Sequence, residues 1–153
     1  MRIGVISDTH GLLRAEALHA LTGAEHILHA GDVGDFAIVD SLRAIAPVTA
    51  IRGNIDTSGA CAKLPATEYV ELAGASFYLI HNRHDLDLNP SAAGISCVVS
   101  GHSHRPVIET HNGVLFLNPG SAGPRRFSLP LTVALIDADG GNLNPRIISL
   151  EPA

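Results

Sequence analysis

The sequence predicts an α/β (α+β) fold, with a strand–helix opening, a β-rich second half, and two packed sheets with helices outside. Three observations carry this. Over residues 1–52, short apolar runs alternate with stretches of helical spacing. From residue 67 onward, short apolar runs are separated by Gly, Pro and Asn clusters. The chain is 46% apolar and 16% charged, a balance that can build a core.

The elements follow in order. Residues 2–7 read as a buried strand through Ile3, Val5 and Ile6. Residues 12–22 read as a helix, with Leu13, Ala17, Leu18 and Leu21 on one stripe. Residues 25–29 form a second strand, ending at Gly31-Asp32. A helix over 36–45 uses Phe36, Val39, Leu42 and Ile45, and Pro47 ends it. Residues 48–52 form a third strand, and these three strands should be parallel. Residues 67–72 and 76–81 read as a hairpin turning at Ala73-Gly74-Ala75. Asn89 as cap and Pro90 as first residue predict a short helix there. Strands are expected at 96–100, 106–110, 114–117, 131–136 and 146–150. No repeat, linker or charge run interrupts the sequence, so residues 1–153 are expected to form a single domain.

Composition narrows the function. A formal charge of −5 argues against nucleic acid as a partner, because nonspecific binding needs a broad basic surface. No apolar run is long enough to span a membrane, and the N-terminal run ends too soon, at Asp8, for a signal peptide. Cys61 and Cys97 are too few and too far apart for a disulfide framework, and read as free thiols of a cytoplasmic protein.

The polar residues at the strand ends carry the chemistry. Asp8-Thr9-His10, Gly31-Asp32, Gly53-Asn54, His81 and Gly101-His102-Ser103-His104 each close an expected strand. Sheets of this kind bind ligands beyond the carboxyl ends of their strands, so these groups can converge. Carboxylates and imidazoles without thiolate suit Mn, Fe, Zn, Ni or Mg better than a structural zinc. Each piece alone reads as a turn or cap, whereas five in this order read as one metal site.

This set of motifs resembles the calcineurin-like metallophosphoesterase superfamily, and the Gly53-Asn54-x-Asp56 form resembles its small YfcE-type phosphodiesterases. The resemblance implies a metallo-dependent phosphatase-like fold, a two-sheet β-sandwich flanked by helices. It implies two divalent cations, with Mn first in order. Asp8, His10, Asp32 and His104 would hold one. Asp32, Asn54, His81 and His102 would hold the other, with Asp32 bridging. The nucleophile would be a metal-bridging hydroxide, and Asp32, Asn54 and Asp56 would serve the reacting phosphate. The expected substrate is a small phosphodiester or phosphomonoester, and a homo-oligomer fits the resemblance and an exposed sheet edge.

The sequence departs from the pattern twice. Ile55 stands where many members have a histidine that serves the leaving group, so esters with poor leaving groups should turn over slowly. The fourth motif reads His81-Asn82-Arg83-His84, which makes His84 a rival to His81. Asp56 is divided between orienting a ligand or contacting phosphate and a turn role. His29 reads as a supporting residue, and His19, His26 and His111 as surface or structural ones. Asn118-Pro119-Gly120-Ser121 reads as a turn supporting the double-His loop. Arg105, Arg125 and Arg126 are divided between steering phosphate and simple solvation. A competing function is that of a retromer subunit of the same fold, an interaction scaffold with weak or absent catalysis. Retention of every expected ligand position favours an enzyme.

Overall fold

The computed structural model describes residues 1–151. Two mixed five-stranded sheets pack face to face. The first has the order β10-β9-β1-β2-β3, and the second β4-β5-β6-β8-β7.

The opening forms as its pattern predicts. β1 (Arg2–Ile6), β2 (His26–His29) and β3 (Val48–Ala50) are parallel neighbours. α1 (Ala15–Leu21) and α2 (Ala37–Arg43) connect them. Strand alternation decides the packing. Ile3 and Val5 of β1 face the second sheet, while Ile6 faces the helices with Ala17, Leu21, Val39 and Leu42. Gly4 lies under α1, where an added Cβ would come 2.6 Å from Leu21 Cδ2.

β4 (Thr67–Leu72) and β5 (Ala75–Ile80) form the expected hairpin, with Ala73 (φ 51°) and Gly74 (φ 79°) as its turn. β6 (Cys97–Val99) and β8 (Val114–Asn118) lie parallel, with β7 (Val107–His111) at the edge. Phe77, Leu79, Cys97, Val99, Leu115 and Leu117 supply this sheet's share of the central core. The two cysteines are buried and free, in separate apolar clusters.

Two expectations are corrected. β9 (Thr132–Asp139) and β10 (Asn142–Ser149) form one long hairpin through Gly140-Gly141, so the last strand starts before residue 146. Pro145 is tolerated because β10 is an edge strand and owes no hydrogen bond outward. Residues 90–94 make only a turn: Asn89 Oδ1 accepts from Ala92 N–H as a cap would, but Gly94 (φ 75°) ends it at once. Both helices cover the first sheet. The outer face of the second, at Ile80, Val98 and Val114, is covered by Leu86, Leu88 and Ile95 from an irregular segment. Among the described residues, no helix is long and apolar enough to cross a membrane.

Candidate metal centre

The strand ends bring the predicted residues together. One oxygen, one nitrogen and one nitrogen of Asp8, His10 and His104 lie within 4.8 Å of one another, as do ligand atoms of Asp8, Asp32 and His81. Asp8 Oδ1 is 3.7 Å from His10 Nε2, 3.5 Å from His104 Nε2 and 3.9 Å from His81 Nε2. Asp32 Oδ2 is 3.2 Å from His81 Nε2 and 3.5 Å from His10 Nε2.

The loops hold this geometry at a cost in backbone energy. Asp8, His10, Asp32, His102 and His104 all have φ between 47° and 73°. Non-glycine residues rarely adopt this region, and when they do the surrounding structure must hold them there. Here the loops brace each other. Asp8 N–H donates to the Gly31 carbonyl, His10 N–H to that of Asp32, and Gly101 N–H to that of His81. Glycines permit the approach: a Cβ on Gly53 would come 2.1 Å from Asp32 Oδ1, and one on Gly101 2.7 Å from Asp8 Oδ2.

Each carboxylate has one anchored oxygen. Asp8 Oδ2 accepts from Ser7 Oγ and His102 N–H, and Asp32 Oδ1 accepts from Ile55 N–H. The other oxygen of each points at the imidazoles. His81 is fixed in the same way. Its Nδ1 lies 2.7 Å from the Ala30 carbonyl, which can only accept, so Nδ1 carries the proton and Nε2 presents its lone pair inward.

The residues fit a divalent cation. Asp8 Oδ1, His10 Nε2, His81 Nε2 and His104 Nδ1 are buried with no hydrogen-bond partner. Leaving one such atom unsatisfied costs about 1–3 kcal/mol, and native structures rarely do so. The first three converge on the same small volume, where a positive charge would satisfy all of them. Protonation equilibria reflect the same crowding. Burial alone would raise Asp32, but the neighbouring His81 imidazole, the Ile55 amide and His10 outweigh it and hold the carboxyl at about 2. His81 is pushed down by burial and more strongly up by Asp32, the Ala30 carbonyl and Asp8.

Asn54 and His102 are exposed, and His102 lies outside the two tight groups. The His102 ring stands edge-on to that of His81, with centroids 5.3 Å apart, and both line one cavity with Asn54. His84 is exposed, in the short turn Arg83–Asp85, and belongs to neither group. Asp56 has its carboxylate engaged elsewhere. It is buried and accepts from Val33, Gly34 and Gly53 N–H, tying the loop after β2 to the loop after β3. Asp56, expected to serve the phosphate, thus has both carboxylate oxygens engaged by backbone amides.

Several supporting residues carry little local signal in the sequence. Ser7 and Thr9 are fully buried on either side of Asp8, where they read as ordinary strand-end residues. His29 Nδ1 accepts from Gly31 N–H, so Nε2 donates to Thr9 Oγ1, and burial holds the ring neutral with a pKa of about 4. His26 is bonded to Thr49 and His111 to Glu109. Asn118 Nδ2 donates to the Gly101 carbonyl and Ser103 Oγ on either side of His102, the expected brace for the double-His loop. Arg125 is taken up by Glu151 and the Leu129 carbonyl. Arg126 is exposed, on a loop whose Gly123 packs against the Asp8 and Thr9 carbonyls.

Comparison with known proteins agrees with this architecture. A probable metallophosphoesterase of Methanocaldococcus jannaschii is 35% identical, over 99% of this chain and 82% of its own length. The fold is shared with YfcE, a phosphoesterase from E. coli (TM-score 0.70, 24% identity, covering 99% of this chain and 100% of that one). It is also shared with Vps29 from Entamoeba histolytica, solved with Zn²⁺ (TM-score 0.77, 20% identity, 99% and 100% covered). The calcineurin-like phosphoesterase superfamily domain matches residues 1–141, and the chain belongs to that superfamily.

Proposed function

We propose that residues 1–153 act as one metal-dependent phosphoesterase domain, a phosphodiesterase with a dinuclear centre loaded in its active form with Mn. The observation that carries this is the convergence of bare, buried Asp8 Oδ1, His10 Nε2 and His81 Nε2 around Asp32 Oδ2.

Asp8, His10, Asp32 and His104 would hold one ion, and Asp32, Asn54, His81 and His102 the other. Asp8 shares in both tight groups, but its Oδ2 is already used twice, which leaves one oxygen for one ion. Asp32 Oδ2 is within 3.5 Å of both His10 and His81, which supports Asp32 as the bridge. When bound, paired divalent cations acidify a bridging water as nucleophile and polarise the phosphoryl oxygens. The chain's own residues orient that chemistry. His81 is aimed by Ala30, Asp8 by Ser7 and His102 N–H, and both loops by Asp56.

Ile55 supports a diester with a good leaving group. The residue is 42% exposed, and it offers no proton to a departing alkoxide. The test is hydrolysis of aryl and alkyl phosphodiesters by chelator-stripped protein with and without Mn. Mn-dependent turnover is expected for the aryl ester. Ile55→His should raise the alkyl rate by about tenfold or more. The aryl rate should change less. Metal-independent turnover, or none with any divalent ion in a folded protein, would contradict the reading.

A further inference from the structure

A cavity of about 590 Å³ opens directly beside the cluster, with Asn54, His81 and His102 along one side. His81 is nine-tenths buried there, and its Nε2 has no hydrogen-bond partner. The size is that of a small-ligand pocket. A phosphodiester held at the cluster must place its two alcohol arms somewhere, and the cavity is the adjoining space.

Its remaining wall has a definite chemistry. Asp85 and Asp87 line it, both exposed, and neither forms an ion pair among the described residues. Tyr78, on the outer face of β5, adds a half-buried aromatic ring. Arg52 is the one cationic side chain in the lining, and its guanidinium donates to the Leu64 carbonyl at 2.6 Å. Two unpaired carboxylates attract an ammonium group through charge, and an aromatic ring in the same lining adds its quadrupole where the cation meets its face. The same wall repels a second phosphate. The arm that fits is therefore a small cationic alcohol.

Resting on the phosphoesterase reading above, we infer that this cavity binds the amino-alcohol arm of the substrate, with Asp85, Asp87 and Tyr78 as its specificity-determining residues. The probes are p-nitrophenyl phosphorylcholine and bis(p-nitrophenyl) phosphate, which release the same leaving group. Their kcat/KM values are measured for Mn-loaded wild type and for the Asp85→Asn/Asp87→Asn double variant. Both substitutions are at exposed positions, and the melting temperature checks the fold. The choline-to-diaryl ratio of kcat/KM should fall about tenfold in the variant, and in wild type it should shrink as salt rises. An unchanged ratio, with the diaryl ester still cleaved, overturns the inference and leaves the phosphoesterase reading intact. Failure of wild type to cleave either ester overturns that reading instead. Calorimetric binding of phosphorylcholine then decides the cavity's role: about tenfold weaker binding in the variant supports it, and absent or equal binding overturns it.

Discussion

Asp32→Asn is expected to lower Mn-dependent hydrolysis of an aryl phosphodiester by about a thousandfold or more, since metal-held charge stabilisation contributes several kcal/mol to such reactions. The substitution is nearly isosteric. It removes the charge at Oδ2, the atom 3.2 Å from His81 Nε2 and 3.5 Å from His10 Nε2. Oδ1 can persist as an amide oxygen and keep its bond from Ile55 N–H. The protein should therefore stay folded, with a melting temperature close to wild type, while Mn-dependent turnover is lost. Turnover within tenfold of wild type would mean that Asp32 is not a ligand.

The second large effect comes from a residue with no functional group. Gly53→Ala would bring a Cβ to 2.1 Å from Asp32 Oδ1 and 2.4 Å from Asp32 N. Neither partner is the free end of a flexible chain, so the loops after β2 and β3 must separate. Overpacking of this kind costs about 1–3 kcal/mol, and here the displacement falls on the Asp32 carboxylate. Mn affinity should drop by about ten- to a hundredfold, the range seen when the supports of metal ligands are removed. Gly113→Ala is the control. Its φ of 78° strains an alanine, but an added Cβ meets nothing within 4 Å and lies in the β7–β8 turn. It should lower stability and leave Mn affinity unchanged. Equal Mn affinity in wild type and Gly53→Ala would show that the loop contact does not govern the site.

Much of the site is legible in the sequence because its chemistry is local. Asp8, Asp32 and His81 each follow an apolar run whose strand period is unmistakable, and parallel pairing of such strands brings their ends to one side. The same logic separates His81 from His84, since only His81 immediately follows the strand. The backbone conformation is not legible. Nothing in Asp8-Thr9-His10 announces φ values of 55° and 47°, because tertiary bonds from Gly31 and Asp32 impose them. The surroundings of Asp56 are hidden for a related reason. Its motif places it near the phosphate, but three backbone amides from two loops capture its carboxylate. The cavity also escapes sequence reasoning. Its wall joins Tyr78, on the outer face of a strand, to Asp85 and Asp87, in a segment with no periodicity. In the fold, Pro145 hides the start of β10, because a proline signal cannot distinguish an edge strand from a break.

The central claim is a dinuclear centre built on Asp8, Asp32 and the strand-end histidines. Its most direct test is the number of Mn ions bound per chain by chelator-stripped protein, measured by calorimetry and metal analysis beside His81→Ala. Two ions for wild type and one for the variant are expected. One ion or none for wild type, or two retained by His81→Ala, would contradict the assignment.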